Sequence, residues 1–374
     1  MPDPRDVDAG PRLGIVLEQC LAPVPGGTGR YSREIAAALA RQAPGAVRGV
    51  TAWHRDVGAA GVPGVDGPHR LPLPRRALVA TWERGRGPGV PGGVVLAPTP
   101  LWPPRRSPTA VVVHDAVPWT HPETLTPRGV RWHRRQVERA AAEADLVVVP
   151  TRAVAAELGR RVRLGQVLVV GEGVSADLAP PPDAAERAAR LALPDRFWLT
   201  VATLEPRKGL DVLLAALAHR GAPDLPLLVV GPRGWGGLDP LGLARELGLP
   251  TGRVRLLGQV PDADLAVLLA RATGVVVPSR AEGFGLPLLE AMAAGAPVIT
   301  SQDPALLEVG GGAAHAAPLR PGALADALAD LAGDDTLRAG MSAAGRRRAA
   351  AYTWDGAARL LWSAIRALQQ AARA

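Results

Sequence analysis

Glu282 and Glu290 bracket the run Glu282-Gly-Phe-Gly-Leu-Pro-Leu-Leu-Glu290. Gly283 and Gly285 let the backbone turn tightly and come close to a ligand. Pro287 suits a first helical turn, where its missing N–H costs little. A helix starting there puts the amides of Phe284, Gly285 and Leu286 at its N-terminus, ready for phosphate or sugar oxygens. The two carboxylates would then face one ligand at two heights. An ordinary strand-to-helix turn with two solvated glutamates would give the same string. A second segment, Thr203-Leu-Glu-Pro-Arg-Lys-Gly209, bears on that choice. Arg207 offers a planar fork of donors and Lys208 a compact point charge, a pair able to clamp a diphosphate. The chain holds 42 arginines, one lysine and no asparagine. Such drift, typical of a GC-rich bacterial genome, makes the single surviving lysine, Lys208, stand out.

These loops need a scaffold. At 374 residues and 47% hydrophobic, the chain is too long for one ordinary core and suggests two domains. Short β-rich runs alternate with Ala/Leu-rich helical stretches, the pattern of a parallel α/β sheet. In the first half, strands are expected at 13–17, 94–97, 110–113, 146–149 and 167–170. A glycine-rich turn at 26–30 precedes a helix at 32–41, and another helix covers 128–144. Residues 54–92, rich in Gly, Pro and Arg, are expected to be irregular and partly mobile. Ala179-Pro-Pro-Pro-Asp183 reads as a link between domains. Beyond it, strands at 197–202, 227–231, 254–258, 274–278 and 297–300 alternate with helices. Ligands of such a doubly wound sheet sit at the carboxyl ends of its strands. The expected division is a first domain at 1–178, a linker at 179–194, a second domain at 195–352 and a closing helix at 353–374 that packs back on the first domain.

The two loops together resemble glycosyltransferase family 4, in which two glutamates separated by seven residues accompany an Arg-Lys pair. Val111-Val-Val-His-Asp115 resembles the family's first-domain strand ending in His-Asp. Gly26–Arg30 followed by Tyr31-Ser-Arg-Glu resembles its glycine loop, and Tyr352-Thr-Trp354 its C-terminal crossover. The resemblance implies an α/β GT-B fold: two facing Rossmann-like domains, a central cleft and a C-terminal crossover helix. It implies a retaining hexosyltransferase that reacts on one sugar face, the leaving phosphate helping to deprotonate the acceptor. Carried over, Glu282 contacts the donor sugar and Glu290 the ribose, while Arg207 and Lys208 neutralise the leaving diphosphate. His114 sits beside the reacting sugar, and Gly27 and Gly29 bring amides to phosphate or acceptor. The donor loop and the Val-His-Asp strand are similar to bacterial mannosyltransferases of polysaccharide and glycolipid pathways, which favours GDP-mannose over UDP-sugars. Four departures put donor choice in doubt: Arg280-Ala281 before the first glutamate, Leu307 in place of proline, Gly310-Gly-Gly312, and Glu172 where asparagine is common.

Residues 1–180 carry 23 arginines and 16 carboxylates, whereas residues 181–374 carry 20 basic residues and 19 carboxylates. That excess suits an anionic glycan or lipid-linked acceptor, or the acidic inner face of a plasma membrane met through the first domain; a solvated, soluble face explains it equally. The basic runs are Arg105-Arg106 and 127–136. Trp102, Trp119 and Trp132 suit either sugar stacking or core packing. No nucleic-acid module accompanies the charge. A metal is not expected: Asp6 and Asp8 lie in the N-terminal tail, and Asp262 and Asp264 read as capping carboxylates of a helix start. No cofactor is expected beyond the nucleotide-sugar substrate. A lone Cys20, a polar N-terminus and the absence of a long apolar run predict a cytoplasmic protein. The competing readings are a GT-B nucleotide-sugar epimerase and a non-catalytic nucleotide-sugar-binding subunit. A phosphorylase is disfavoured because Lys208 leaves no lysine for pyridoxal.

Overall fold

The computed structural model describes residues 13–373; the N-terminal segment with Asp6 and Asp8 lies outside them. The chain forms two compact units. Unit 1 takes Met1–Trp119, Arg128–Glu172 and Thr353–Ala374, and unit 2 takes Thr120–Pro127 and Gly173–Tyr352.

Unit 1 is built on seven parallel strands: β1 (Leu13–Val16), β2 (Val47–Trp53), β3 (Asp66–Pro74), β4 (Val94–Ala97), β5 (Thr109–Val112), β6 (Leu146–Val149) and β7 (Val167–Val169), in the order β3-β2-β1-β4-β5-β6-β7. β1, β4, β5 and β6 are short, apolar and buried throughout, as strands covered on both faces must be. The expectation of an irregular 54–92 is corrected: β3 and the helix Arg75–Trp82 lie there. Three prolines in β3 hide it from propensity rules. They are tolerated because β3 is an edge strand, bonded on one side only and with shifted register against β2.

The glycine segment is also corrected. Gly26–Arg30 is not a free turn but the first turn of the helix Gly26–Gln42, which no side chain caps. Gly29 is buried there, and a Cβ on it would stand 2.4 Å from the Pro25 Cβ, so the position has no room for a side chain. The C-terminal helix, Trp354–Ala371, starts on a Thr353 cap and belongs to unit 1. The Trp362 indole N–H donates to the Leu39 carbonyl at 3.0 Å, and Arg41 pairs with Asp355 at 2.7 Å.

Unit 2 carries six parallel strands: β8 (Trp198–Val201), β9 (Leu227–Val230), β10 (Val254–Gly258), β11 (Gly274–Val277), β12 (Val298–Thr300) and β13 (His315–Ala316), in the order β10-β9-β8-β11-β12-β13. The chain winds outward from β8 to β10, then restarts at β11 on the other side of β8. The carboxyl ends of β8 and β11 therefore flank the topological switch point, where doubly wound sheets bind ligands.

The 179–194 stretch is not a bare linker. The helix Ala184–Arg190 within it docks in unit 2, where Arg187 and Arg190 hold the buried Asp264 at 2.7 and 3.1 Å. Asp264 thus anchors an ion-pair cluster rather than capping its own helix, Asp262–Arg271, which has no side-chain cap. Residues 120–127 also cluster with unit 2, and the Trp235 indole donates to the Thr124 carbonyl at 2.7 Å.

Candidate functional site

The loops after β8 and β11 meet at the switch point of unit 2. Pro206–Lys208 makes a single 3₁₀ turn, and Gly209 reverses the chain with φ +65° to start the helix Leu210–Leu217. Gly209 must be glycine twice over. Its φ is left-handed, and a Cβ would lie 1.9 Å from the Pro278 carbonyl oxygen. That close approach locks the two loops together. The Arg280 N–H donates to the Arg207 carbonyl at 2.8 Å. The Arg280 guanidinium grips Asp211 with two bonds of 2.9 and 2.6 Å and donates to the Pro206 carbonyl at 2.7 Å. Arg280, one of the departures noted before the first glutamate, is a tie between the loops.

Within this frame the glutamate and the two cations meet. Lys208 Nζ lies 2.6 Å from Glu282 Oε1, and Arg207 Nη1 lies 3.0 Å from Oε2. The Ser279 hydroxyl donates to Oε1 at 2.7 Å. Glu282 is 8% exposed, Arg207 16% and Lys208 14%, so water screens these charges weakly. Burial pushes the Glu282 carboxyl up, but Lys208 and Arg207 outweigh it and bring the group down to about 2.

Three partners were not assigned from sequence. Glu205 takes two bonds from Arg207, at 2.7 and 3.1 Å, and burial raises its carboxyl. Ser279 is the second. The third is Asp303, which caps the helix Pro304–Gly310 and also accepts from the Glu282 N–H at 3.3 Å. Burial, with the charge of Glu282 adding to it, lifts Asp303 to about 6. Asp303 carries one local signal, an Asp-Pro pair at a strand end. Its partnership with Glu282 spans 21 positions and has none.

The helix Leu286–Ala294 begins at Gly285 with φ +91° and no side-chain cap. The amides at its start are placed as the glycine spacing predicts. Gly283 lies in the preceding loop. Phe284 is buried and its ring meets Tyr352 edge-on at 5.5 Å, so its side chain is a packing group. Leu286 is buried as well. Glu290 sits one turn inside this helix, 5% exposed.

His114, just beyond β5, lies in unit 1. Its Nε2 donates to the Pro98 carbonyl at 2.8 Å, and Nδ1 faces Glu172 Oε1 at 3.6 Å. The Tyr31 ring meets it edge-on at 4.7 Å. A carbonyl and a carboxylate are both acceptors, so this geometry favours the ring with both nitrogens protonated. Burial alone would lower the His114 pKa; the pairing with Glu172 overcomes it and raises it. The imidazolium thus adds stability that is full below the ordinary histidine range and is lost as pH rises through the elevated folded value. NMR titration of the ring protons should show His114 above that range, and Glu172→Gln should lower it; an unchanged titration would remove Glu172 as the cause.

Gly27 and Gly29 fall in the first turn of the helix Gly26–Gln42. Trp102 is fully buried with the Arg139 guanidinium 3.7 Å from its ring, while Trp119 and Trp132 pack against core clusters, so core packing wins for all three. Among the described residues no group of three or more His, Cys, Asp or Glu is placed to hold a metal ion, and no helix is long and apolar enough to cross a membrane.

Residues 183–348 match the model for glycosyl transferases group 1. O-antigen chain mannosyltransferase B of Escherichia coli is 39% identical over 163 residues, 42% of each chain. The chain spans about half the length of the curated relatives it matches. Sucrose-phosphate synthase from Thermosynechococcus elongatus superposes with a TM-score of 0.78 at 23% identity, covering 96% of this chain and all of that one. HepE from Anabaena, solved with UDP and glucose, gives 0.73 at 18% identity over 95% of this chain and 99% of its own. The matched segment spans the loops after β8 and β11 of unit 2, and the likeness of fold runs through both units: residues 183–348 match glycosyl transferases group 1, and the chain has the GT-B fold.

Proposed function

We propose that the chain is a retaining hexosyltransferase that moves a sugar, mannose favoured, from a nucleotide diphosphate sugar to a hydroxyl acceptor. One observation carries this reading: Lys208 and Arg207 converge on Glu282 at the switch point of unit 2, beside a helix start with no side-chain cap. A departing diphosphate needs fixed positive charge and aligned amides where its negative charge develops. Arg207 and Lys208 supply the charge, and the amides from Phe284 to Leu286 supply the dipole. Glu282 holds the donor sugar and keeps both cations in place; Glu290 holds the ribose. No metal is required, because two cations already neutralise the leaving group. The acceptor is a glycan or lipid-linked hydroxyl, and the protein works at the cytoplasmic side, in peripheral contact with an acidic membrane.

The basic stretch supports that contact only in part. Arg134 donates to the Pro118 carbonyl and Arg139 to those of Trp82 and Pro103, so both are structural. Arg128, Arg131 and Arg135 are exposed along the helix Pro127–Glu143. The mannose preference draws on the E. coli relative, and the UDP-bound Anabaena structure keeps UDP-sugars open.

A thermal-shift panel of GDP- and UDP-sugars checks the donor, since a ligand at 100 times its Kd adds roughly 2.7 kcal/mol of stability. GDP-mannose should give the largest rise in melting temperature, unchanged by EDTA. A larger rise with a UDP-sugar would replace mannose. Donor turnover to a 2-epimer without transfer would mean an epimerase, and binding without turnover a non-catalytic subunit.

A further inference from the structure

Unit 2 carries a cleft of about 410 Å³ at the end of its sheet opposite Arg207 and Lys208. Arg196 precedes β8 by two residues, Thr273 comes just before β11 and Pro297 just before β12. The cleft therefore opens at the amino ends of three neighbouring strands. The helix Asp335–Ala349 supplies its other wall through Arg338, Ala339 and Ser342. Residues 338 and 342 are four apart and share one face of that helix. β8 and β11 are four residues each, about 13 Å of extended chain between the cleft and the loop of Arg207 and Lys208. A small molecule seated in the cleft does not touch those two cations.

Two guanidinium groups crowd together here. Arg338 Nη1 donates to the Leu331 carbonyl at 2.6 Å and to the Ala332 carbonyl at 3.0 Å. Arg196 Nη2 donates to the same Ala332 carbonyl at 2.6 Å. Both carbonyls belong to the last turn of the helix Pro321–Gly333, an end that attracts cations. Arg338 alone satisfies the two carbonyls, so the helix end does not need Arg196. Sharing one acceptor holds two like charges close, and they repel. Asp335 pairs with Arg338, but it is 92% exposed and water screens the pair. Among the described residues no carboxylate pairs with Arg196, and its one bond uses one of three guanidinium nitrogens. Thr273 Oγ1 accepts from the Phe197 N–H at 3.1 Å, which fixes the hydroxyl and leaves its proton to donate. Anchored arginine forks beside hydroxyls are a donor set for phosphate. The volume falls in the range of small-molecule sites, roughly 300–1,000 Å³, and exceeds what a bare phosphate fills.

We propose that this cleft is a second anion site of unit 2 and takes a phosphate monoester. Arg196 and Arg338 hold the phosphate, Thr273 and Ser342 donate to it, and Pro297 and Ala339 face the carbon skeleton. The bound anion relieves the repulsion between the two guanidinium groups. It also ties the start of β8 to the helix Asp335–Ala349, so its binding stabilises unit 2. The site does not depend on the transferase reading.

The test titrates the full chain with glucose 6-phosphate, inorganic phosphate and glucose by calorimetry, and follows the melting temperature with each. Wild type should bind glucose 6-phosphate more tightly than inorganic phosphate and should not bind glucose. Arg196→Gln should weaken the ester about tenfold or more, the worth of one charge-assisted contact. Ser342→Asp, which sets a carboxylate on the same helix face as Arg338, should abolish binding by a separate route. Lys208→Ala should leave it unchanged. A cooperative melt without ligand shows that each variant is folded. No binding of the ester, an unaltered affinity in Arg196→Gln or Ser342→Asp, or inorganic phosphate binding as tightly as the ester would overturn the site. Loss of binding in Lys208→Ala would do the same, because the ester would then belong to the loops after β8 and β11. A failed sugar-transfer assay sinks the transferase reading and leaves this result standing.

Discussion

Lys208→Ala is expected to lower kcat for sugar transfer by roughly 10²–10³-fold, the cost of removing one preorganised group from a developing negative charge. The donor KM should change far less. With the donor bound as proposed, Arg207 and the uncapped helix start would still meet the phosphates in the ground state, whereas the charge that grows as the bond to the diphosphate breaks would lose its nearest compact cation. Lys208→Arg should recover only part of the rate. Lys208 Nζ reaches Glu282 Oε1 at 2.6 Å in a space where the lysine is 14% exposed, and a guanidinium is wider and planar. Steady-state kinetics well below the melting temperature separate these outcomes. A kcat within about threefold of wild type would show that phosphate departure does not depend on this side chain.

Glu282→Gln is expected to have the largest effect on stability. Glu282 titrates at about 2 in the folded protein against an ordinary 4.5. A depressed carboxylate adds stability that is full above the ordinary value and is lost as pH falls through the folded one, here between 4.5 and about 2. The shift corresponds to roughly 3 kcal/mol near neutrality. The substitution also leaves Lys208 and Arg207 partly desolvated without their shared partner, an arrangement that costs several kcal/mol when a buried pair is broken. A loss of about 3 kcal/mol should lower the melting temperature by roughly 6–12 °C for a unit of this size. The gap between wild type and variant should shrink as pH drops toward 3. A gap that stays constant from pH 7 to 3 would mean that the carboxylate charge is not what stabilises the loop.

Much of the fold was legible because its signals are local. Val94–Ala97, Leu146–Val149 and Gly274–Val277 are short apolar runs bounded by breakers, and they are strands. The helix start at Leu286 was legible from glycine spacing and Pro287. β3 was not, because prolines argue against a strand until its place at the sheet edge is known. The same holds for Gly26–Arg30, where glycines read as a turn but form the first turn of a helix. The tryptophans could not be sorted from sequence. Trp102 is core and Trp53 is surface, a distinction that depends on which elements pack over each ring.

The sequence by itself determined which chemistry is present: one lysine beside an arginine, two spaced glutamates and a glycine-led helix start. Residue type and short-range spacing carry that information, since charge and backbone freedom belong to single residues. Only the tertiary structure decided who meets whom. Lys208 and Glu282 are 74 positions apart and become neighbours because β8 and β11 lie side by side where the winding reverses. Asp303 and Glu172 gain their roles the same way. A buried charge is defined by the partners that share its low-dielectric surroundings, and strand order, not sequence distance, brings those partners together.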